Sequence, residues 1–122
     1  MRRLLDIDDG SGNNRVAIFR SNANNGSIAE WASGVNATGT DFTGKTGARL
    51  LKVAARVRPT SYRAACDNAL GPELSTSAMQ QMNRIVFGNT LIGATWYLNG
   101  DITRFQIINR DVTDAELQAL TA

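Results

Sequence analysis

The stretch Leu98-Asn99-Gly100-Asp101-Ile102-Thr103-Arg104-Phe105-Gln106-Ile107-Ile108-Asn109-Arg110-Asp111-Val112-Thr113-Asp114-Ala115-Glu116-Leu117-Gln118-Ala119-Leu120-Thr121-Ala122 contains a turn, a strand and a helix in succession. Leu98-Asn99-Gly100 suits a tight hairpin turn, because Asn and Gly tolerate the positive φ angles such a turn requires. Ile102, Phe105 and Ile107 then carry the apolar face of a strand predicted over Ile102 to Arg110. Alternation from Phe105 back through Thr103 leaves Ile102 one position out of step, so a β-bulge is predicted between Ile102 and Phe105.

The helix is predicted over Thr113 to Leu120. Thr113 and Glu116 stand at capping-box spacing, with Val112 and Leu117 at hydrophobic-staple positions and Asp114 near the positive end of the helix dipole. Leu117 and Leu120 share one face, and two leucines at that spacing pin one side of a helix too short to stand alone in water. It is expected to dock on a sheet.

Upstream, Leu4 to Ile7 reads as a strand, Asp8 to Asn14 as a turn, and Arg15 to Arg20 as the return strand. Val16 and Ile18 face one way there, Ala17 and Phe19 the other. After a polar turn at Ser21 to Gly26, Ser27 to Ala32 puts Ile28, Glu30 and Ala32 on one face and Ala29 and Trp31 on the other. One face is expected to be core and the other wet, with Ile28 buried and Trp31 at least partly exposed. Val35 to Ala48 is poorly patterned; one strand is predicted near Thr40 to Thr43 and a loop at Gly44 to Gly47. Leu51, Val53, Ala55 and Val57 alternate with Lys52, Ala54, Arg56 and Arg58, giving an apolar and a mainly basic face. Arg58-Pro59-Thr60-Ser61 turns the chain, Tyr62, Ala64 and Cys66 return along the core, and Asp67-Asn68 turns it again. Pro72 to Gln81 is loop-like, with a helical turn available at Ala78 to Met82, and Arg84 to Phe87 is another strand with Ile85 and Phe87 on one face. Seven or more short strands and one small helix predict an all-β fold, a two-sheet antiparallel sandwich with one short C-terminal helix.

Tyr97-Leu98-Asn99-Gly100-Asp101-Ile102, followed by Phe105 and the run Ile107 to Leu117, resembles the C-terminal signature of laminin-G-like domains of the concanavalin A-like lectin/glucanase superfamily. The ending Thr113 to Ala122 is similar to versions found in bacteriophage tail-fibre and other virion proteins. Leu4 to Gly10 with Asn14 to Ile18 resembles the family's first conserved hairpin, and Lys52 to Ala54 with Ala65 to Asp67 its central one. The resemblance implies a jelly-roll form of the sandwich, one domain over residues 1–122, and a place on the surface of a phage particle, extracellular once released. It also implies partners: glycans or polysaccharide, other phage structural proteins, and copies of itself, a trimer among the options. Family members usually carry a strand or two before the Leu4-Leu5 segment, pairing with the C-terminal strand. With the chain starting at Met1, Ile102 to Arg110 is expected to present an open edge, which a neighbouring subunit or another virion protein covers.

At 122 residues the chain is one domain with a single core. Its one cysteine, Cys66, cannot form an internal disulfide, and it reads as a small core residue. There is no histidine, which removes His-dependent triads and Zn–His sites. Arginine supplies 11 of the 13 basic residues and the net charge is only +2, too mild a balance to imply a nucleic-acid partner. No apolar run is long enough to span a bilayer, and Asp6, Asp8 and Asp9 end the apolar start Leu4-Leu5 at once, so neither a membrane partner nor a signal peptide is expected.

Three candidate sites stand out. Trp31, Trp96 and Tyr97, with Asn99, are the residues for carbohydrate binding, since sugar C–H faces stack on exposed rings while Asn and Asp hydrogen-bond hydroxyls; core or interface placement is the competing reading. Asp6, Asp8 and Asp9 offer clustered oxygens for calcium, the one cofactor the sequence admits, against a plain Asp/Asn/Gly turn. Lys52, Arg56 and Arg58 form a basic face able to meet an anionic partner, against a merely solvated sheet face. Asp6-Ile7-Asp8-Asp9 also resembles the catalytic string of glucanases in the same superfamily, but both glutamate positions are unfilled. Retaining hydrolysis needs two carboxylates about 5 Å apart across the scissile bond. No catalytic residue is therefore assigned, and a non-enzymatic module is expected.

Overall fold

In the computed structural model, residues 2–11, 13–20, 26–42, 52–76, 82–88 and 101–122 are described. Among the described residues nine strands and a helix follow one another: β1 Arg2–Asp8, β2 Arg15–Arg20, β3 Gly26–Ala32, β4 Val35–Phe42, β5 Val53–Val57, β6 Ser61–Cys66, β7 Ala69–Leu70, β8 Leu74–Ser75, β9 Arg84–Phe87 and α1 Asp114–Ala119. They make two antiparallel sheets. The larger has the order β4-β3-β2-β1-β9; the smaller has the order β5-β6-β7, with β8 also paired to β6.

Local chemistry accounts for the hairpins. Ser33 and Gly34 join β3 to β4 with φ of 52° and 81°, and Asp67 and Asn68 join β6 to β7 with φ of 47° and 65°. Both are two-residue connections with positive φ throughout, the backbone whose twist matches that of flanking strands. The Asp67-Asn68 turn agrees with the sequence reading; the Ser33-Gly34 turn was not foreseen.

The alternation in β2 decides where the core lies. Val16 and Ile18 join Ile28 of β3 and Tyr62, Ala64 and Cys66 of β6 in one buried cluster, with Leu4, Leu5, Val53, Ala55 and Val57 packed against it. This cluster joins one face of the larger sheet to one face of the smaller. Ala17, Phe19 and Ala29 form a second buried cluster on the opposite face of the larger sheet, with Trp31 against it. The expectation that one face of β3 is wet is thus corrected: Ile28, Ala29 and Glu30 are all buried, because β3 lies between β2 and β4 and carries apolar neighbours on both sides. Trp31 is half-buried, as expected.

The outer face of the smaller sheet receives α1. Ala65, Val112 and Leu117 form a third buried cluster, with Ala54, Leu70 and Ile108 around it. The capping box is complete: Thr113 Oγ1 accepts the Glu116 amide, and the Glu116 carboxylate accepts the Thr113 amide at 2.8 Å. Val112 and Leu117 meet as a staple should. Leu120, however, is 46% exposed, so the predicted two-leucine stripe is one leucine wide.

Two strand expectations are corrected. Residues 101–109 carry no regular secondary structure, and Ile102, Phe105 and Ile107 are exposed. The Ile102–Arg110 strand and its bulge are therefore absent; alternation selects a strand only when a partner and a buried face exist. Register shifts occur instead between Arg3 and Leu5 on β1 and between Glu30 and Trp31 on β3. The strand expected near Thr40 to Thr43 runs over Val35–Phe42, paired to β3 along its length. The Leu98-Asn99-Gly100 turn, the Ser21 to Gly26 turn up to residue 25, the Gly44 to Gly47 loop and residues 78–81 of the helical turn lie outside the described residues.

Candidate functional site

One row of side chains crosses the larger sheet at the end where β1 turns into β2. The register places Arg84 opposite Asp8, Asp8 opposite Arg15, and Arg15 opposite Trp31. Residues directly opposite share a face, so four strands present a base, an acid, a base and an aromatic ring in line over roughly 15 Å. Asp8 is fully buried; its Oδ1 accepts from Arg84 Nε at 2.9 Å and from the Gly10 amide at 2.7 Å. Arg84 also donates to the Gly10 carbonyl oxygen at 2.9 Å, which ties β9 to the turn. The Arg15 guanidinium lies 4.5 Å from the Trp31 ring centroid, a cation–π contact, and Phe19 meets the same ring at 6.3 Å. At Trp31 the ladder to β4 slips: Thr38 pairs with Glu30 and Asn36 with Trp31, leaving Ala37 over. Such a bulge re-aims the side chain beside it.

The loops at this end are knitted together. Asp9 accepts from the Ser11 hydroxyl and amide and from Asn14 Nδ2 at 2.7 Å. Those hydrogen bonds, the Ser11 hydroxyl first, hold its carboxyl down to about 2 from 3.8. Asn14 Oδ1 accepts the Ser33 amide, the Asn13 carbonyl oxygen accepts the Gly34 amide, and the Asp8 carbonyl oxygen accepts the Asn83 amide, each at 2.9 Å. The Asn14–Ser33 bond thus ties the β1–β2 turn to the β3–β4 turn at the Trp31 end of the row, while Asn83 holds the turn at the β9 end.

The candidates for calcium are divided between two environments. Asp6 and Asp8 point to the sheet face that also carries Ala17 and Arg15, both carboxylates buried, while Asp9 spends both oxygens within its own turn. Among the described residues no group of three or more Asp, Glu, His or Cys side chains is placed to hold a metal.

The basic face of β5 is met from within the chain. Arg56 is only 6% exposed; it reaches Glu73 at 2.5 Å, Asp114 at 2.8 Å and the Val112 carbonyl oxygen at 2.9 Å. Arg58 makes a two-pronged contact with Asp111 at 2.8 and 3.0 Å, and Lys52 Nζ donates to the Ala122 carbonyl oxygen. Arg63, on β6, adds a 2.7 Å contact to Asp114 and donates to the Gly71 carbonyl oxygen. The solvated-face reading is corrected for Arg56, which is buried between Glu73 and Asp114, whereas Arg58 stays 37% exposed beside Asp111 and Lys52 is exposed.

Of the sugar-stacking candidates, the structure brings Trp31 together with Asp8 and Asp9 at one end of the larger sheet. Trp96, Tyr97 and Asn99 lie outside the described residues. Arg15 and Arg84 complete the row and were not foreseen. Arg15 was within reach of the sequence: once the β2–β3 hairpin closes at Arg20 and Gly26, register alone sets it opposite Trp31. Arg84, far away in the chain, carried no such signal. No family model matches the chain, and no curated protein or solved structure matches it.

Proposed function

We propose that the chain is a non-enzymatic, laminin-G-like jelly-roll module of a phage particle surface that binds glycans of the host or a host-associated surface. The observation that carries this reading is the Arg15–Trp31 pair beside the Asp9–Asn14 turn. An indole that is half-buried, backed by a guanidinium and close in the chain to the hydrogen-bonded Asn14–Ser33 link is the kind of surface on which a sugar ring stacks while its hydroxyls find donors and acceptors. The two antiparallel sheets and terminal helix are consistent with the resemblance in the sequence. Asp6 and Asp8 are 1% and 0% exposed, so neither carboxylate is open to a scissile bond as a glycosidase pair must be, which supports binding over hydrolysis.

A glycan array probed with the full chain tests this directly. Expected is a restricted set of positive glycans whose signal falls in Trp31→Ala; silence across the array shifts the weight to a second reading, in which the domain decorates or cements the particle. Exposed Phe87 and Phe105, whose rings meet edge-on at 4.6 Å, favour that second reading, because an exposed apolar patch marks a contact with other protein.

A further inference from the structure

The C-terminal segment is held by two kinds of contact that do not depend on which copy of the chain supplies it. Its acidic side chains Asp111 and Asp114 meet Arg56, Arg58 and Arg63, and its apolar Val112 and Leu117 sit against Ala65, Ala54 and Leu70. The segment leading into it is different. Residues 101–109 have no regular secondary structure, and Ile102, Phe105 and Ile107 are 45%, 47% and 66% exposed. Phe105 makes an edge-on contact with Phe87 at 4.6 Å, and Ile108 is half-buried near the helix.

We propose that residues 111–122 are an exchangeable arm, and that in an assembly the arm of one copy docks on the β5–β6–β7 sheet of a second copy of this chain. The groove's occupant is fixed by what already fits it: three arginines around a small apolar floor, matched by two aspartates around Val112 and Leu117. A connection of nine residues in extended form spans roughly 30 Å, enough to reach a neighbour. Exchange also gives the connection a partner. Two copies of Thr103-Arg104-Phe105-Gln106-Ile107 aligned antiparallel about Phe105 set Arg104 opposite Gln106 and Thr103 opposite Ile107, with no like charges apposed, and cover apolar groups that one copy leaves in water. The inference does not rest on glycan binding and stands or falls separately from it.

The Arg58–Asp111 pair tests it, since both residues lie near the surface and reversing either charge leaves the core intact. Arg58→Asp and Asp111→Arg chains, each full length and differently tagged, are unfolded together, refolded as an equal mixture and captured through one tag. In either variant alone the latch sets like charges together. In a heterodimer with exchanged arms, both latches join opposite charges. Expected is a heterodimer enriched on the order of tenfold over random assortment, and return to wild-type behaviour in the Arg58→Asp/Asp111→Arg double variant. Heterodimer at or below its random share, or none, overturns the proposal.

Discussion

Arg56 Nη1 lies 2.8 Å from Asp114 Oδ1 and 2.9 Å from the Val112 carbonyl oxygen, so one buried guanidinium on β5 holds both the residue before the helix cap and the first residue of the helix. Its other terminal nitrogen is 2.5 Å from Glu73. Arginine can do this because its planar fork offers several donors at fixed angles; lysine offers a single point charge.

Replacing Arg56 by Met is expected to lower the unfolding free energy by about 2–3 kcal/mol, below the range for a wholly buried pair because Glu73 and Asp114 keep some contact with water. Arg56→Lys should recover less than half of the loss. Urea denaturation of the three chains measures both.

Leu117 and Leu120 should separate sharply. Leu117 is 1% exposed and Leu120 46%, so Leu117→Ala is expected to cost about 2–4 kcal/mol and Leu120→Ala under about 1 kcal/mol. Equal losses in thermal or chemical unfolding would place the second leucine in the core after all.

A methyl group at Gly39 would stand 2.8 Å from Ala29 Cβ and 3.3 Å from the Ile28 carbonyl oxygen. Gly39→Ala is accordingly expected to destabilise by about 1–3 kcal/mol. Ala29→Gly in the same chain should relieve part of this, and a double-mutant cycle would read the coupling between the two positions.

Acid should loosen the helix end in a defined window. The hydrogen bond from Arg110, followed by that from the Thr113 amide, holds the Glu116 carboxyl down to about 2 from 4.5. A folded-state value below the unfolded one means the unfolded chain binds more protons in between. The resulting stability is fully present above pH 4.5 and is lost as pH falls towards about 2. Asp9 acts in the same direction through Ser11, and Asp111 through Arg58. Melting temperature followed through this window should fall less steeply in Glu116→Gln than in the wild type; parallel curves would remove Glu116 from the acid response.

Features set by neighbouring residues were legible in the sequence. The β2 alternation, the Asp67-Asn68 turn and the Thr113–Glu116 capping box each depend on spacing along the chain, and each stands where the spacing puts it. Residues 101–109 were misread because alternating Ile, Phe and Ile describes a strand only in combination with a partner, which no local pattern supplies. β4 was only half found because its Asn, Thr and Gly residues carry little apolar signal; its ladder with β3 and the close approach of Gly39 to Ala29 define it. At the candidate site, Trp31 and the Asp9 turn stood out by residue type. The burial of Asp8 and its bond to Arg84 join positions far apart in the chain, and the basic face of β5 looked open because its acidic partners Glu73, Asp111 and Asp114 come from later segments.

The most direct measurement is titration of the full-length wild type and Trp31→Ala with whichever glycan the array returns. Loss of the indole is expected to weaken binding at least tenfold, about 1.4 kcal/mol, while the cooperative unfolding transition is retained. Undiminished binding by a folded Trp31→Ala chain would contradict the assignment of the Arg15–Trp31 end of the sheet as the recognition surface.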